Sequence, residues 1–247
     1  MTTIVSAFIC NANIRDDRTL HKYLELGSLL LKANIPKIIF IDSEIYHFFK
    51  YYENDNTKII SFNKYDIYLY KYFKTLKNTF SLNTNFPNKD TLEFIFTMCN
   101  KTEWIKHAIQ LNLFNTQYFI WIDFGIRHVF NCNNDEFIKK IEDLSNRNIY
   151  NKLRIGTIWN LDIEHYLFGI DIYKDISWYF AGGVFGGNIE ELLKFSNETK
   201  NMCIKIINEK QNLMWEVNIW YLIYKNNTNI QFSFYNCDHN DSIIDNY

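Results

Sequence analysis

The stretch Tyr118-Phe-Ile-Trp-Ile-Asp-Phe-Gly-Ile-Arg-His128 decides how this chain is read. An apolar, strand-forming run ends there on a carboxylate, Asp123, and a glycine, Gly125. Buried strands of open α/β sheets read as continuous apolar segments, and ligands bind outside their carboxyl ends. Asp123 therefore stands where a polar group faces a crevice. The same spacing also suits a strand followed by a solvated turn aspartate.

Upstream of this stretch, residues 3–9 read as a first strand. Residues 20–33 repeat apolar side chains at helical spacing (Leu20, Tyr23, Leu24, Leu26, Leu30) until Pro36 ends the pattern, and residues 37–41 form a second strand closed by Asp42. Strand, helix, strand with short links is a βαβ unit, whose strands run parallel. Residues 44–100 are aromatic-rich, and Tyr65-Asp-Ile-Tyr-Leu-Tyr-Lys-Tyr-Phe73 fits strand and helix equally. Residues 83–89 have a loop composition, and such loops often cover a site. Residues 102–113 return to helical spacing with Lys101 at their start. A lysine there opposes the helix macrodipole, so it is either incidental or placed to meet an anionic ligand.

Downstream, residues 135–144 read as an amphipathic helix and 154–159 as a strand. Trp178-Tyr-Phe-Ala-Gly-Gly-Val-Phe-Gly-Gly187 holds four of the chain's eight glycines, and Asn188 then caps a helix running to about Asn208. Paired glycines imply a backbone that something approaches closely, or one with positive φ. The G-x-G-x-x-G spacing of a dinucleotide fold is missing. Asp123-Phe-Gly125 has the letters of a kinase motif, yet the Gly-rich loop, strand lysine and H-R-D loop that a kinase needs are not in the chain.

The 247 residues fit a single α/β domain spanning 1–247, and 47% hydrophobic with 18% aromatic content supplies ample surface for burial. Asparagine, isoleucine and lysine are abundant throughout, as an AT-rich genome would produce. The 26 Lys plus Arg nearly balance 28 Asp plus Glu without blocks of like charge, which leaves no footprint for nucleic acid or an anionic membrane. Cys10, Cys99, Cys132, Cys203 and Cys237 are odd in number and scattered, unlike a disulfide framework or zinc site. No apolar run reaches the about 18 residues of a membrane span. The expected location is cytoplasmic, or a host cytoplasm or virion for a viral chain.

Thr3-Ile-Val-Ser-Ala-Phe8, Asn100-Lys-Thr102, Asn112-Leu-Phe-Asn-Thr-Gln-Tyr-Phe-Ile-Trp-Ile-Asp-Phe-Gly-Ile126, Gly182-Gly-Val-Phe-Gly-Gly187 and Trp215-Glu-Val-Asn218 resemble, in order, the signature segments of the HtrL/YibB-like glycosyltransferases. The resemblance runs from about residue 2 to 240, and Trp-Ile-Asp-x-Gly-Ile is its most specific part. It implies a GT-A-like nucleotide-binding α/β/α sandwich with a central mixed, mostly parallel sheet. The implied activity is transfer of a sugar from a nucleotide-sugar donor to a glycan or other hydroxyl acceptor.

Carried onto this chain, the resemblance makes Asp123 the first carboxylate of a D-x-D motif that holds Mn²⁺ or Mg²⁺ on the donor pyrophosphate, with Gly125 where a second acid would stand. Within Cys237-Asp-His-Asn240, His239 would complete the metal shell with Asp238 in reserve; a plain polar tail is the other reading. Glu216, a lone acid in an apolar run, would face the acceptor. It would act as general base if the enzyme inverts, its pKa lifted by neighbours such as Trp215 and Val217, and as an orienting group if it retains. The donor would lie against Ala7, Phe8, Asn11, Arg15 and Asp42, with Lys101 countering phosphate charge and Arg18 an equal candidate for Arg15. The acceptor would sit by Trp178, Gly182 and Gly183. Gly125 argues for one alternative, a catalytically silent nucleotide-sugar-binding or structural protein that keeps the fold; a phosphotransferase on a similar fold is a third reading, and phosphate charge carried by Lys101 and Arg127 would dispense with the metal.

Overall fold

The computed structural model describes residues 2–10, 19–76, 80, 82–145, 147, 151–226 and 229–247. In chain order the elements are β1 (Thr2–Phe8), α1 (Leu20–Lys32), β2 (Lys37–Asp42), α2 (Tyr46–Phe49), β3 (Thr57–Phe62), α3 (Tyr68–Phe73), α4 (Leu92–Cys99) and α5 (Lys101–Leu111). There follow β4 (Tyr118–Ile122), α6 (Asn134–Leu144), β5 (Leu153–Thr157), β6 (Phe180–Asn188), α7 (Ile189–Lys210), α8 (Glu216–Lys225), β7 (Phe232–Asn236) and α9 (Ser242–Asp245).

The strands form one seven-stranded sheet in the order β3-β2-β1-β4-β6-β5-β7. Parallel pairing joins β3 to β2, β2 to β1, β1 to β4 and β5 to β7, while β6 runs antiparallel to both β4 and β5. The sheet is therefore mixed and mostly parallel. Because its strands are apolar on both faces, each face seeks helices. Ile4 and Phe8 of β1 face the cluster built with α1, α6 and α9, whereas Val5 faces the cluster built with α4, α5, α7 and α8. This is the α/β/α sandwich expected from sequence.

Caps set two of the helices, the one at Asn188 as read from the sequence. Asn188 caps α7 by accepting the Glu191 N–H, and Asn133 with Glu136 makes a reciprocal capping box at α6. The aromatic stretch 65–73 resolves into a 3₁₀ turn and the short helix α3, which packs Leu69 into the core. The glycine-rich segment is a strand, β6, and within it no glycine has positive φ; Gly169 is the described glycine that does. Close approach is thus the reason for those glycines. Among the described residues no helix is long and apolar enough to cross a membrane, and all five cysteines are free thiols.

Candidate functional site

Leaving β1, the chain proceeds to β2 on one side, while β4 pairs on the other. The carboxyl ends of β1 and β4 therefore diverge at a topological switch point, the place where open α/β sheets bind ligands. A cleft of about 340 Å³ opens there, a size suited to a small-molecule ligand. Ala7 and Phe8 from β1, Asp123 after β4, Gly182 and Gly183 of β6, and Trp215 and Glu216 at the start of α8 line it.

The centre of the cleft wall is an ionic cluster that Lys101 ties together. As the first residue of α5, Lys101 sets its Nζ 2.8 Å from Glu216 Oε1, 2.9 Å from Asp123 Oδ1, 3.1 Å from Asp123 Oδ2 and 3.0 Å from the Gly182 carbonyl. An ammonium has three N–H donors, and these partners engage all three. Burial acts to push the Lys101 pKa down, yet the charges and hydrogen bonds of Asp123 and Glu216 outweigh it and hold the ammonium above the ordinary lysine range. The side chains are 2% exposed for Lys101, 3% for Glu216 and 36% for Asp123, so the cluster grades from buried to open.

Each partner is itself fixed. Trp121 Nε1 donates to Asp123 Oδ1 at 2.7 Å, and the Trp121 ring stacks on Trp104. The Asp123 N–H donates to the Gly183 carbonyl at 2.9 Å, which extends the β4–β6 pairing by one residue. Antiparallel β6 enters the sheet at this edge, so its first glycines lie beside the end of β4. A Cβ on Gly182 would stand 2.6 Å from Glu216 Oε1, so only glycine lets the carboxylate reach Lys101. Glu216 Oε2 is buried without a hydrogen-bond partner; such a group calls for a donor.

Aromatic rings form the outer wall. Trp178 lies 6.2 Å from Trp215, whose Nε1 donates to Asp90 at 2.8 Å, and Phe94 packs edge-on against Trp215. Lys89, at the end of the 83–89 loop, sits over the Trp215 ring at 4.4 Å. His239 meets Trp178 at 4.3 Å. Burial pushes the His239 pKa down; Asp238 opposes this and Lys89 reinforces it.

Of the residues singled out from sequence, Ala7, Phe8, Lys101, Asp123, Trp178, Gly182, Gly183, Glu216 and His239 all line this cleft. Asn11, Arg15 and Arg18 lie outside the described residues. Asp42 is not in the cleft wall: its carboxylate turns back to accept the N–H groups of Cys10 and Glu44, both at 3.1 Å. Arg127 likewise turns away, to the Phe130 and Cys132 carbonyls and Asn134. Lys101 is engaged by carboxylates rather than open to phosphate. Glu216 has an ammonium against it as well as the apolar neighbours read from the sequence. Trp121 and Phe94 were not singled out, since apolar runs hide which aromatic faces a cavity; Trp215 was named only as a neighbour of Glu216, and Lys89 only as part of the 83–89 loop.

The pair expected to hold a dication, Asp123 and His239, gains no third partner: among the described residues no three His, Cys, Asp or Glu side chains converge on a metal position. Asp123 Oδ1 already accepts from Lys101 and Trp121. A Cβ on Gly125 would stand 3.0 Å from the Tyr23 ring, so a second acid is sterically disfavoured as well. Hard dications take about six or more ligands, chiefly oxygen, and these residues do not fit a protein-held Mn²⁺ or Mg²⁺.

No family model matches the chain, and a search of curated proteins finds no match. Solved structures of similar chain path include the galactosyltransferase LgtC, bound to donor and acceptor sugar analogues, at 15% identity and a TM-score of 0.44, covering 94% of this chain and 72% of that one. A glycosyltransferase involved in glycosylation of the major capsid of PBCV-1 aligns at 14% identity and 0.41, covering 95% and 81%. A 4-diphosphocytidyl-2C-methyl-D-erythritol synthase from Anaerococcus prevotii aligns at 9% and 0.37, covering 96% and 86%.

Proposed function

We propose that this chain is a glycosyltransferase that moves a sugar from a nucleotide-sugar donor to a hydroxyl acceptor. The observation that carries this reading is the Lys101-centred pairing of Asp123 and Glu216 at the β1–β4 switch point, beneath a wall of Trp178 and Trp215. Buried carboxylates beside aromatic faces suit a pyranose, whose hydroxyls donate to oxygen and whose C–H face stacks on rings. Residues 1–247 would act as one such domain.

In this reading the nucleotide lies along the ends of β1, by Ala7 and Phe8. Asp123 and Glu216 orient sugar hydroxyls, and the acceptor enters beside Trp178, Gly182 and Gly183. In the transfer, the bond from the anomeric carbon to the phosphate oxygen breaks and the nucleoside diphosphate departs, a bond to the acceptor oxygen forms, and the acceptor proton passes to Glu216 in an inverting reaction or to the departing phosphate in a retaining one. Glu216 Oε1 is pinned by Lys101, so Oε2 is the atom that meets a hydroxyl. The positive charge between the carboxylates is that of Lys101.

The test is incubation of the purified chain with a panel of nucleotide sugars. Slow release of nucleoside diphosphate, reduced about 10² to 10⁴-fold in Glu216→Gln, is the expected result. Gly125, packed on Tyr23 where a second acid would stand, favours one other reading: a nucleotide-sugar-binding protein without turnover. Binding with no release identifies that case, and release of a nucleoside monophosphate instead marks phosphotransfer.

A further inference from the structure

Resting on the glycosyl-transfer reading, we infer that the sugar transferred in this cleft is a neutral one, presenting hydroxyls and no carboxylate of its own. The inner end of the cleft is rich in hydrogen-bond acceptors. Among the described residues, Glu216 Oε2 is buried without a partner and Asp123 Oδ2 accepts from Lys101 alone. The donors beside them are already engaged: Lys101 by Asp123, Glu216 and the Gly182 carbonyl, and Trp121 Nε1 by Asp123 Oδ1.

Charge points the same way. Two carboxylates against one ammonium leave this end with a net charge of about −1, and a walled cleft enhances such a field. A ligand hydroxyl can donate to Glu216 Oε2 and satisfy it. A uronate carboxylate brings two further acceptors, meets no free donor among the described residues of the cluster, and places like charges side by side.

The test is titration calorimetry of the full chain with matched pairs: UDP-glucose and UDP-glucuronate, UDP-galactose and UDP-galacturonate, and GDP-mannose and GDP-mannuronate, with UDP and GDP as controls. In each pair whose nucleotide binds, the uronate is expected to bind about 100-fold more weakly than the neutral sugar. Glu216→Gln removes charge while keeping shape, and should shrink that ratio about tenfold with affinity for the nucleoside diphosphate unchanged. A merely structural Glu216 would not move the ratio. Equal affinities within the pairs, or a ratio that Glu216→Gln leaves untouched, overturn the inference and leave the nucleotide-sugar reading standing. If neither nucleotide nor any nucleotide sugar binds, the functional reading itself falls and this inference with it.

Discussion

With its ammonium shared among Asp123, Glu216 and the Gly182 carbonyl, Lys101 separates two carboxylates that would otherwise face one another across a buried gap. Removing one member of a buried charge pair is costly because the partner stays uncompensated, so Lys101→Met should lower stability by about 3–5 kcal/mol in urea denaturation. In Lys101→Met/Glu216→Gln the more buried carboxylate is neutral, and part of that loss should return. Strict additivity of the two single changes would show that the cluster is not coupled. The carboxylate positions were legible in the sequence, but the strut was not. Its partners lie 22 and 115 residues away, and no local spacing announces them. Asp42 shows the converse. It ends β2 as Asp123 follows β4, and the two look alike in sequence, yet the Asp42 carboxylate accepts two nearby backbone N–H groups and is not among the described residues that line the cleft.

Among the elements, β6 shows most clearly what composition conveys. Its glycines signalled close approach, and the structure supplies the neighbours: Glu216 against Gly182, and the Phe119 carbonyl against Gly186. Gly182→Ala should displace Glu216 from Lys101 and lower stability by about 1–3 kcal/mol, read as a reduced urea midpoint together with loss of nucleotide-sugar turnover. Unchanged turnover in a folded variant would detach Glu216 from the reaction. The Asn188 cap was readable because one side chain meets the first turn of its own helix, and Asn188→Ala should cost about 0.5–2 kcal/mol without touching ligand affinity. The 65–73 stretch was not readable. Tyrosine and phenylalanine suit strand and helix alike, and packing of Leu69 and Tyr70 against the core decides it.

At the scale of the molecule, the parallel order followed from apolar strands alternating with helical segments, whereas the reversal of β6 depends on pairing between distant strands. That reversal brings the Trp178–Gly183 segment to the same edge as β1 and β4, and sets His239 against Trp178. Because His239 titrates below its ordinary range in the fold, the unfolded chain takes up a proton first as pH falls through about 6.5. Stability should therefore decline from that point down to the folded pKa and then level off. Thermal unfolding across pH 5 to 8 should show this component in the wild type and not in His239→Gln.

The counter-charge between Asp123 and Glu216 is a covalent part of the chain, which gives it a property no exchangeable ion has: it follows the protein through dilution and dialysis. Prolonged exposure to a chelator should leave the unfolding midpoint and the nuclear magnetic resonance signals of the cluster where they were, and a change in either would mean that something besides the lysine holds these carboxylates together.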